Sequence, residues 1–399
     1  MGCRPSNLIR VMPAQGVVMV RSSGVAVVGG GVIGLACAWR AAAAGFAVTV
    51  HDPAPGSGAS WVAGGMLAPV TEALPGEDDV LALGVASLDR WPSFAAELSA
   101  AGTDPGLRTE GTLAVAVDPA DRAELDRLGE HLARLGRDVD VLRGRSLRLA
   151  EPSLGPAVRS ALSVPGDLAV DNRALLAALL AACRSSGVAF EPSRCETLPP
   201  ADVVVLAAGA HSGALHPALR EMIRPVKGEI LRLRARRGVL PPPSRTVRAV
   251  VGGRRCYLVP RDRARVVLGA TQYEVGFDTD VTAGGVRQLL DDAERVLPAI
   301  GEYALEESSA GLRPGSPDNL PLIGSLEPGV LVATGHSRHG ILLAPLTAEA
   351  VLALLRGVPV PPEMASVAVH RFARAMGVSG GAPRRGNAVS HGRDERSEA

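Results

Sequence analysis

Three glycines near the start of the chain have the spacing of a loop that binds a dinucleotide. Gly29, Gly31 and Gly34 follow the apolar run VAVV and lead into an alanine-rich stretch. In such a loop the first glycine permits a tight turn, the second lets the backbone approach a pyrophosphate, and the third allows close packing of helix on strand. Backbone amides at the start of the helix, at Val32 and Ile33, would bind the anion with help from the helix dipole.

An acidic residue follows the loop where a ribose would be bound. Asp52 lies eighteen residues after Gly34, at the end of the apolar stretch FAVTVHD. A carboxylate there accepts hydrogen bonds from ribose hydroxyl groups and disfavours a ribose 2′-phosphate. The pattern therefore predicts NAD or FAD rather than NADP.

The segment PGSGASWVAGGMLAP follows Asp52 and bears on the choice between these two cofactors. It is short and rich in small and polar residues, so it could run beneath an extended cofactor and offer it backbone amides. An NAD enzyme more often continues into another βαβ unit. The segment favours FAD, with a plain surface loop as the alternative. Its candidate contacts are Ala59, Ser60, Gly64, Gly65 and Met66.

Parallel strands and helices are needed to position these residues. The stretch GVAVVG predicts a buried strand, 32–44 a helix and FAVTVHD a second strand, which together make a βαβ unit. A second parallel-sheet signal appears at DNRALLAALLAAC, where Asp171 can cap a helix, followed by the strand-like stretches GVAF and ADVVVLAAGA. Because these segments are far apart in the sequence, we expect another module between them.

The intervening stretches predict the nature of that module. ADRAELDRLGEHLARLG has leucines at 125, 128, 132 and 135 on one helical face, while EILRLRA, CYLVP and RVVLGAT indicate strands. The predicted fold is a doubly wound, Rossmann-like α/β domain interleaved with an α+β substrate domain on a mostly antiparallel sheet.

Composition and charge limit the class of protein. The chain has 399 residues, 47% of them hydrophobic, and a formal net charge of +1, which gives no electrostatic case for nucleic acid as a partner. Its five cysteines are scattered without a C-x-x-C pair, so we predict neither a disulfide framework nor a metal site. No apolar run approaches the roughly 20 residues that span a bilayer. We therefore expect a cytoplasmic protein without a membrane partner.

Two motifs nearer the C-terminus are more specific. They are AGLRPGSPDNLPLIG at 310–324 and ATGHSRHGILLAP at 333–345. Together with the glycine loop and the GASWVAGGM segment, they resemble the D-amino acid oxidase and glycine oxidase family of FAD enzymes over about residues 24–375. The resemblance implies that the α/β domain binds FAD. It also implies non-covalent binding, because no cysteine follows Cys256 to tether the flavin.

The resemblance further implies a substrate site. Arg313 would bind the substrate carboxylate through its planar, always-charged guanidinium, the hydroxyl of Tyr257 would reach the same carboxylate, and Arg338 would lie at the edge between flavin and substrate. The alternatives are an exposed turn arginine, a core tyrosine and an arginine paired with a surface acid.

Cofactor contacts are implied along the last motif and at one distant residue. They would involve His336, Ser337, Arg338, His339, Gly340, Ile341 and Leu342, with Cys195 contacting adenine through its backbone. The helix beginning near Ile341 could direct its positive end at the flavin pyrimidine ring. We interpret His336 and His339 as structural, because loss of hydride needs chiefly a neutral amine and good alignment. Gln272 and Arg255 depart from the family pattern and leave substrate preference open.

The implied activity is FAD-dependent oxidative deamination of glycine or another small amino acid. Hydride would pass to the flavin, the imine would hydrolyse to the oxo acid and ammonia, and molecular oxygen would reoxidise the flavin to give hydrogen peroxide. In thiamine biosynthesis the imine of such enzymes supplies the thiazole branch, so a thiazole-forming enzyme is a candidate partner. Oligomeric state stays open, with a homo-oligomer as one option. The alternatives are a sarcosine oxidase or D-amino acid dehydrogenase of the same fold, and a non-catalytic FAD-binding protein.

The expected domain boundaries follow from these assignments. We assign 24–95, 150–215 and 310–365 to the FAD-binding domain and 96–149 and 216–309 to the substrate-binding domain. Polar composition without periodicity predicts a disordered tail at 376–399, and 1–23 is expected to be a disordered extension.

Overall fold

The computed structural model describes residues 24–372, and its strands form three sheets. The disorder predicted for 1–23 and 376–399 concerns residues outside the described part. The two larger sheets each have their own hydrophobic core, so the chain is organised around two centres of packing.

The strands are numbered β1 to β17 in chain order. They are Gly24–Val28 (β1), Ala47–His51 (β2), Met66–Leu67 (β3), Leu107–Arg108 (β4), Thr112–Ala116 (β5), Asp140–Arg143 (β6), Ser160–Val164 (β7), Leu168–Val170 (β8), Ala189–Glu191 (β9), Val203–Leu206 (β10), Arg224–Arg234 (β11), Thr246–Val251 (β12), Arg254–Pro260 (β13), Arg265–Gly269 (β14), Ala304–Gly315 (β15), Leu322–Glu327 (β16) and Val330–Thr334 (β17).

The α-helices connect these strands. They are Val32–Ala43 (α1), Ala59–Val62 (α2), Asp78–Leu88 (α3), Trp91–Ala100 (α4), Pro119–Arg134 (α5), Gly144–Ala150 (α6), Asn172–Ser185 (α7), Ser212–Leu215 (α8), Ala283–Val296 (α9) and Gly340–Arg356 (α10).

The smaller of the two main sheets is a six-stranded α/β sheet in the order β16-β17-β10-β1-β2-β9. All of its pairs are parallel except the edge pair β16–β17. Apolar side chains of β1 and β10 point alternately into cores on both faces, which explains why these strands are continuous apolar runs. The predicted βαβ unit is confirmed, with α1 ending one residue earlier than expected.

Helix α7 begins where the sequence predicts a cap. The Asp171 side chain accepts hydrogen bonds from the amides of Arg173 and Ala174, two donors that a helix start otherwise leaves unpaired. The helix then packs against α1 and brings the distant segments 172–206 back to the first βαβ unit. Helix packing, as well as strand pairing, therefore joins these distant segments to the first βαβ unit.

The larger sheet has eight strands in the order β15-β11-β14-β13-β12-β5-β7-β6. It is antiparallel except for the β5–β12 pair, which confirms the predicted mostly antiparallel sheet. Alternate side chains on β13 point to opposite faces, so Cys256 and Leu258 join the core with α9, whereas Tyr257 joins a small cluster on the other face. That second face is the one available to a ligand.

Two strands that the expected boundaries assign wholly or partly to the FAD-binding domain belong to the larger sheet. β7 pairs with β5, and β15 pairs with β11 along most of its length, so both belong to the larger sheet. The boundaries expected at 150 and 310 therefore cut into this sheet. Pairing between strands far apart in sequence gives no local signal, so the sequence by itself does not assign these two strands to this sheet.

Two local expectations also needed correction. Leu125 and Leu132 on α5 are buried, but Leu135 lies just beyond the helix and is exposed. The segment Ser337–Arg356 is 20 residues long and apolar enough to cross a bilayer, contrary to the expectation that no apolar run approaches this length. Within the protein 72% of its most apolar window is buried, as expected for a core helix that packs on α1 and α3.

Candidate active site

A cleft of about 730 Å³ lies at the carboxyl ends of the parallel strands and faces the larger sheet. Ligands of open α/β sheets bind at this end of the strands, and cofactor pockets commonly measure about 300–1,000 Å³. The predicted site residues that line the cleft are Gly29, Gly31, Val32, Ile33, Asp52, Ala59, Ser60, Gly64, Gly65, Met66, Cys195, Tyr257, Arg313, His336, Ser337, Arg338, Gly340 and Ile341. Gly34, His339 and Leu342 are not among the lining residues.

The glycine loop has the geometry that close approach to an anion requires. Gly29 has a φ of +109°, and a Cβ there would overlap the carbonyl of Ala207 on the neighbouring strand connection. A Cβ at Gly34 would overlap the carbonyl oxygen of Gly29, so this glycine serves the packing of α1 on β1 rather than the ligand. Gly31 is the N-cap of α1 and has no side chain with which to cap the first amides. Val32 and Ile33, the first two residues of the helix, line the cleft, and the Val32 amide donates to Ser60 Oγ.

Asp52 is held at the end of β2 by two backbone hydrogen bonds. Its Oδ2 accepts from the amide of Gly30 at 2.7 Å, and its Oδ1 accepts from the amide of Ala54 at 2.8 Å. Each carboxylate oxygen keeps acceptor capacity for a ribose hydroxyl. Cys195 also lines the cleft, where burial, with a smaller contribution from Asp52, raises the pKa of its thiol.

The segment from Gly58 to Met66 is fixed by side chains from both domains. Ser60 Oγ accepts a hydrogen bond from the Val32 amide at 3.1 Å, which leaves the hydroxyl proton of Ser60 to donate onward. Asn172 donates to the Ser60 carbonyl at 2.9 Å, and Arg261 donates to the Gly64 carbonyl at 2.7 Å. The plain surface loop considered for this segment does not match these contacts.

Tyr257 lies between two glycines in the wall of the cleft. A Cβ at Gly64 would come within 2.6 Å of the Tyr257 ring, and a Cβ at Gly269 would overlap it. Burial raises the pKa of the Tyr257 hydroxyl, so the group stays protonated and can donate a hydrogen bond. The two glycines thus leave room for the ring and define its position.

Arg313 is on β15, opposite Val226 of β11. Its Nη1 donates to the Thr271 carbonyl at 3.2 Å, and its guanidinium covers Gly228, where any Cβ would overlap it. A guanidinium has five N–H donors, so most of them stay available to a ligand in the cleft. Burial is the largest influence on the pKa of Tyr257, and Arg313 is close enough to lower it in part.

Arg338 lines the cleft but already has a partner. Its Nη2 donates to Glu77 Oε2 at 2.6 Å, and Glu77 also accepts from Asn319 at 2.8 Å. The ion pair is partly exposed, with 27% of the Arg338 side chain and 18% of the Glu77 side chain accessible. Arg338 therefore has the ion pair considered as its alternative, and its place at the edge between flavin and substrate stays a prediction.

The two histidines of the last motif are buried and uncharged. Burial lowers the pKa of His336 to about 3 and that of His339 to about 4. His336 Nε2 lies 3.1 Å from Oγ1 of Thr347, a residue of α10. Nearby, the Leu342 carbonyl accepts from the Trp91 indole at 2.9 Å, a contact that anchors the helix rather than a ligand.

Sequence reasoning missed several charged residues near the site. Glu72 lines the cleft, Arg248 lies 3.5 Å from the Glu72 carboxylate, and Asp167 accepts hydrogen bonds from the segment that carries Glu72. A single acid in MLAPVTEALP carries no spacing signal, so only its proximity in sequence to the GASWVAGGM segment could have indicated it. Gln272 is exposed, and Arg255 pairs with Glu124 beside a separate cavity of about 140 Å³.

The cleft fits FAD in its residues as well as its size. The glycine loop and the start of α1 line the cleft where a pyrophosphate would bind, Asp52 keeps lone pairs for a ribose, and residues of the fixed segment after it line the cleft as well. The fold and this cleft define a two-domain FAD-dependent oxidoreductase. The chain belongs to the DAO family of FAD dependent oxidoreductases, whose family model matches residues 24–354.

Several relatives illustrate where the chain lies within this family. It is 33% identical over 377 residues to glycine oxidase from Geobacillus kaustophilus, covering 89% of this chain and 98% of that protein. The crystal structure of glycine oxidase from that organism superimposes with a TM-score of 0.78 at 31% identity, covering 88% of this chain and 99% of that one. The putative thiamine biosynthesis oxidoreductase ThiO from Rhizobium etli is 36% identical, covering 81% of this chain and 93% of its own length. A bifunctional ThiO/ThiG protein from Nostoc is 32% identical over 83% of this chain, which spans 52% of that longer protein.

Proposed function

We propose that this FAD-dependent oxidoreductase oxidises glycine or a similarly small α-amino acid. The observation that supports the proposal most directly is the pairing of Arg313 with Tyr257 in a cleft continuous with the glycine loop. A cation and a neutral hydroxyl donor side by side suit a carboxylate, and the cofactor end of the same cleft supplies an electron acceptor. The names of the relatives agree with this substrate class.

Each residue has a role that follows from its own geometry. Arg313 binds the α-carboxylate through its available N–H groups, and Tyr257 donates its hydroxyl proton to the same group. Glycines 64 and 269 hold the tyrosine ring in place, so the carboxylate is bound in one orientation. When bound, FAD supplies the acceptor for the hydride that leaves the α-carbon.

The overall reaction balances without a protein base. The amino acid loses hydride and a proton to become an imine, water converts the imine to the oxo acid and ammonia, and oxygen takes up the two electrons as hydrogen peroxide. The two histidines near the cleft stay neutral and buried, so they serve packing.

We further propose a role in thiamine biosynthesis in the cytoplasm. The relatives named ThiO, and the fusion of such a protein to ThiG, suggest that the imine passes to a thiazole-forming partner. The four cysteines of the described residues are unpaired, which agrees with a reducing compartment.

An oxygen-consumption assay with a panel of amino acids tests the proposal. Purified holoenzyme is given glycine, sarcosine, D-alanine or D-proline, and hydrogen peroxide is measured alongside oxygen. We expect the highest kcat/KM with glycine. A clear preference for sarcosine or D-proline would favour the alternative activities, and peroxide from none of them would refute the proposed oxidase.

A further inference from the structure

A carboxylate that the Arg313–Tyr257 pair does not explain lies in the wall of the same cleft. Glu72 lines the cleft, and only 9% of its side chain is accessible. One of its oxygens lies 3.5 Å from Nη2 of Arg248, and the other lies 3.5 Å from Nδ1 of His339. Both distances are long for charge-assisted hydrogen bonds, which measure about 2.7–2.9 Å.

Glu72 is ionised in spite of its burial. Burial alone would raise its pKa, but the cationic side chains of Arg248, Arg338 and Arg313 bring the pKa below its usual range. Among residues 24–372 no donor makes a hydrogen bond to its carboxylate. A buried anion without hydrogen-bond donors is costly, so the cleft presents an acceptor that suits a cationic or N–H-bearing ligand group.

The backbone that carries Glu72 is also held in position. Asp167 accepts hydrogen bonds from the amides of Val70 and Thr71, both at 3.2 Å, and from the Thr71 hydroxyl at 2.7 Å. The Arg248 side chain donates to the Thr71 carbonyl from the larger sheet. The backbone just before Glu72 is therefore fixed from two sides, by residues 167 and 248, which are far from it in sequence.

Glu72 lines the same cleft as Arg313 and Tyr257. Arg313 is among the charges that act on Glu72, and Glu72 is among those that act on Tyr257. A zwitterionic α-amino acid has opposite charges separated by one carbon, so a cation and an anion close together in one cleft match both of its ends. Amine-free carboxylates satisfy only the Arg313 end.

We propose that Glu72 recognises the α-amino group of the substrate, accepting its N–H hydrogen bonds while Arg313 binds the carboxylate. The inference rests on the proposed amino acid oxidase function and adds a selection against carboxylates that lack the amine. Glu72 then contributes to the orientation of the α-carbon, because two anchored ends leave a small substrate little freedom to rotate.

The test compares glycine with acetate, which has the carboxylate but no amine. Holoenzyme of the wild type and of Glu72→Gln is titrated with acetate through the flavin absorbance, and the glycine dependence of flavin reduction is followed without oxygen. We expect Glu72→Gln to weaken glycine binding by about 10- to 100-fold, the range for a hydrogen bond to a charged group, and to leave acetate binding nearly unchanged. The matched control Glu124→Gln removes an acid that faces the separate cavity, and both ligands should bind it normally.

The outcomes separate this inference from the proposed function. Equal weakening of glycine and acetate, or unchanged glycine binding, in Glu72→Gln would overturn the role of Glu72 alone. A wild type that glycine does not reduce would instead refute the proposed substrate, and the comparison would be repeated with the amino acid that does reduce it. If Glu72→Gln fails to fold, Glu72→Asp keeps the charge and shortens the side chain. A smaller loss confined to glycine is then expected, and an equal loss of both ligands would contradict the inference.

Discussion

Replacing Arg313 with alanine is the sharpest perturbation of the proposed substrate site. One N–H group of the guanidinium donates to the Thr271 carbonyl, and the others are available to a ligand in the cleft. Arg313→Ala would leave the substrate carboxylate partly desolvated and without its cation. Arg313→Lys would restore a charge without the planar, two-pronged donor geometry.

The size of the effect follows from the number of bonds lost. Two charge-assisted hydrogen bonds are worth about 1.5–3 kcal/mol each. Removing one partner of a buried charge pair costs about 3–5 kcal/mol, which lies within their sum, so a loss of that order is expected. At about 1.4 kcal/mol per factor of ten, glycine affinity should fall by roughly two to three and a half powers of ten. Arg313→Lys should recover only part of it.

The assay is an anaerobic titration of holoenzyme with glycine, followed by flavin reduction. FAD content should stay close to that of the wild type, because Arg313 faces the substrate end of the cleft. Arg234→Ala is the matched control, since Arg234 is on the same sheet but pairs with Glu306 and does not line the cleft. Near-normal glycine binding in Arg313→Ala would refute the placement of the substrate site, and an equal loss in the control would show a general disturbance of the sheet.

Three further predictions concern the cofactor, the second carboxylate contact and acid stability. Gly31→Val should lower FAD content, because a side chain 3.3 Å from Ser60 Oγ would keep the pyrophosphate from the α1 amides; unchanged flavin per protein would contradict this. Tyr257→Phe should weaken glycine binding by about 10- to 100-fold with FAD content preserved. An anaerobic titration that shows no loss of glycine affinity would contradict the proposed contact between the hydroxyl and the carboxylate. The pKa values of about 3 for His336 and about 4 for His339 mean that the unfolded chain takes up protons that the folded chain does not as the pH falls from 6.5 toward 4. The free energy of unfolding, measured in urea, should then fall by about 1.4 kcal/mol per pH unit for each histidine, and His336→Asn should lessen the slope.

The sequence alone determined the cofactor half of the protein. Gly29, Gly31 and Asp52 are close together in the chain, and their roles depend on local turns and on one βαβ unit, so spacing is enough to predict them. The Asp171 cap of α7 is likewise a local signal. Arg313 and Tyr257 were reached through the family resemblance, because a lone arginine or tyrosine on a strand has no spacing that reveals a partner.

Only the tertiary structure decided what surrounds these residues. β15 joined the larger sheet because its backbone pairs with β11 some eighty residues away, a choice that depends on non-local hydrogen bonds. Glu72 became a candidate contact because Asp167 and Arg248 fix its segment beside the cleft. Local propensity and periodicity indicate which secondary structure each stretch of the chain favours by itself. The charge and hydrogen bonding of a buried site depend instead on which distant stretches the packing brings together.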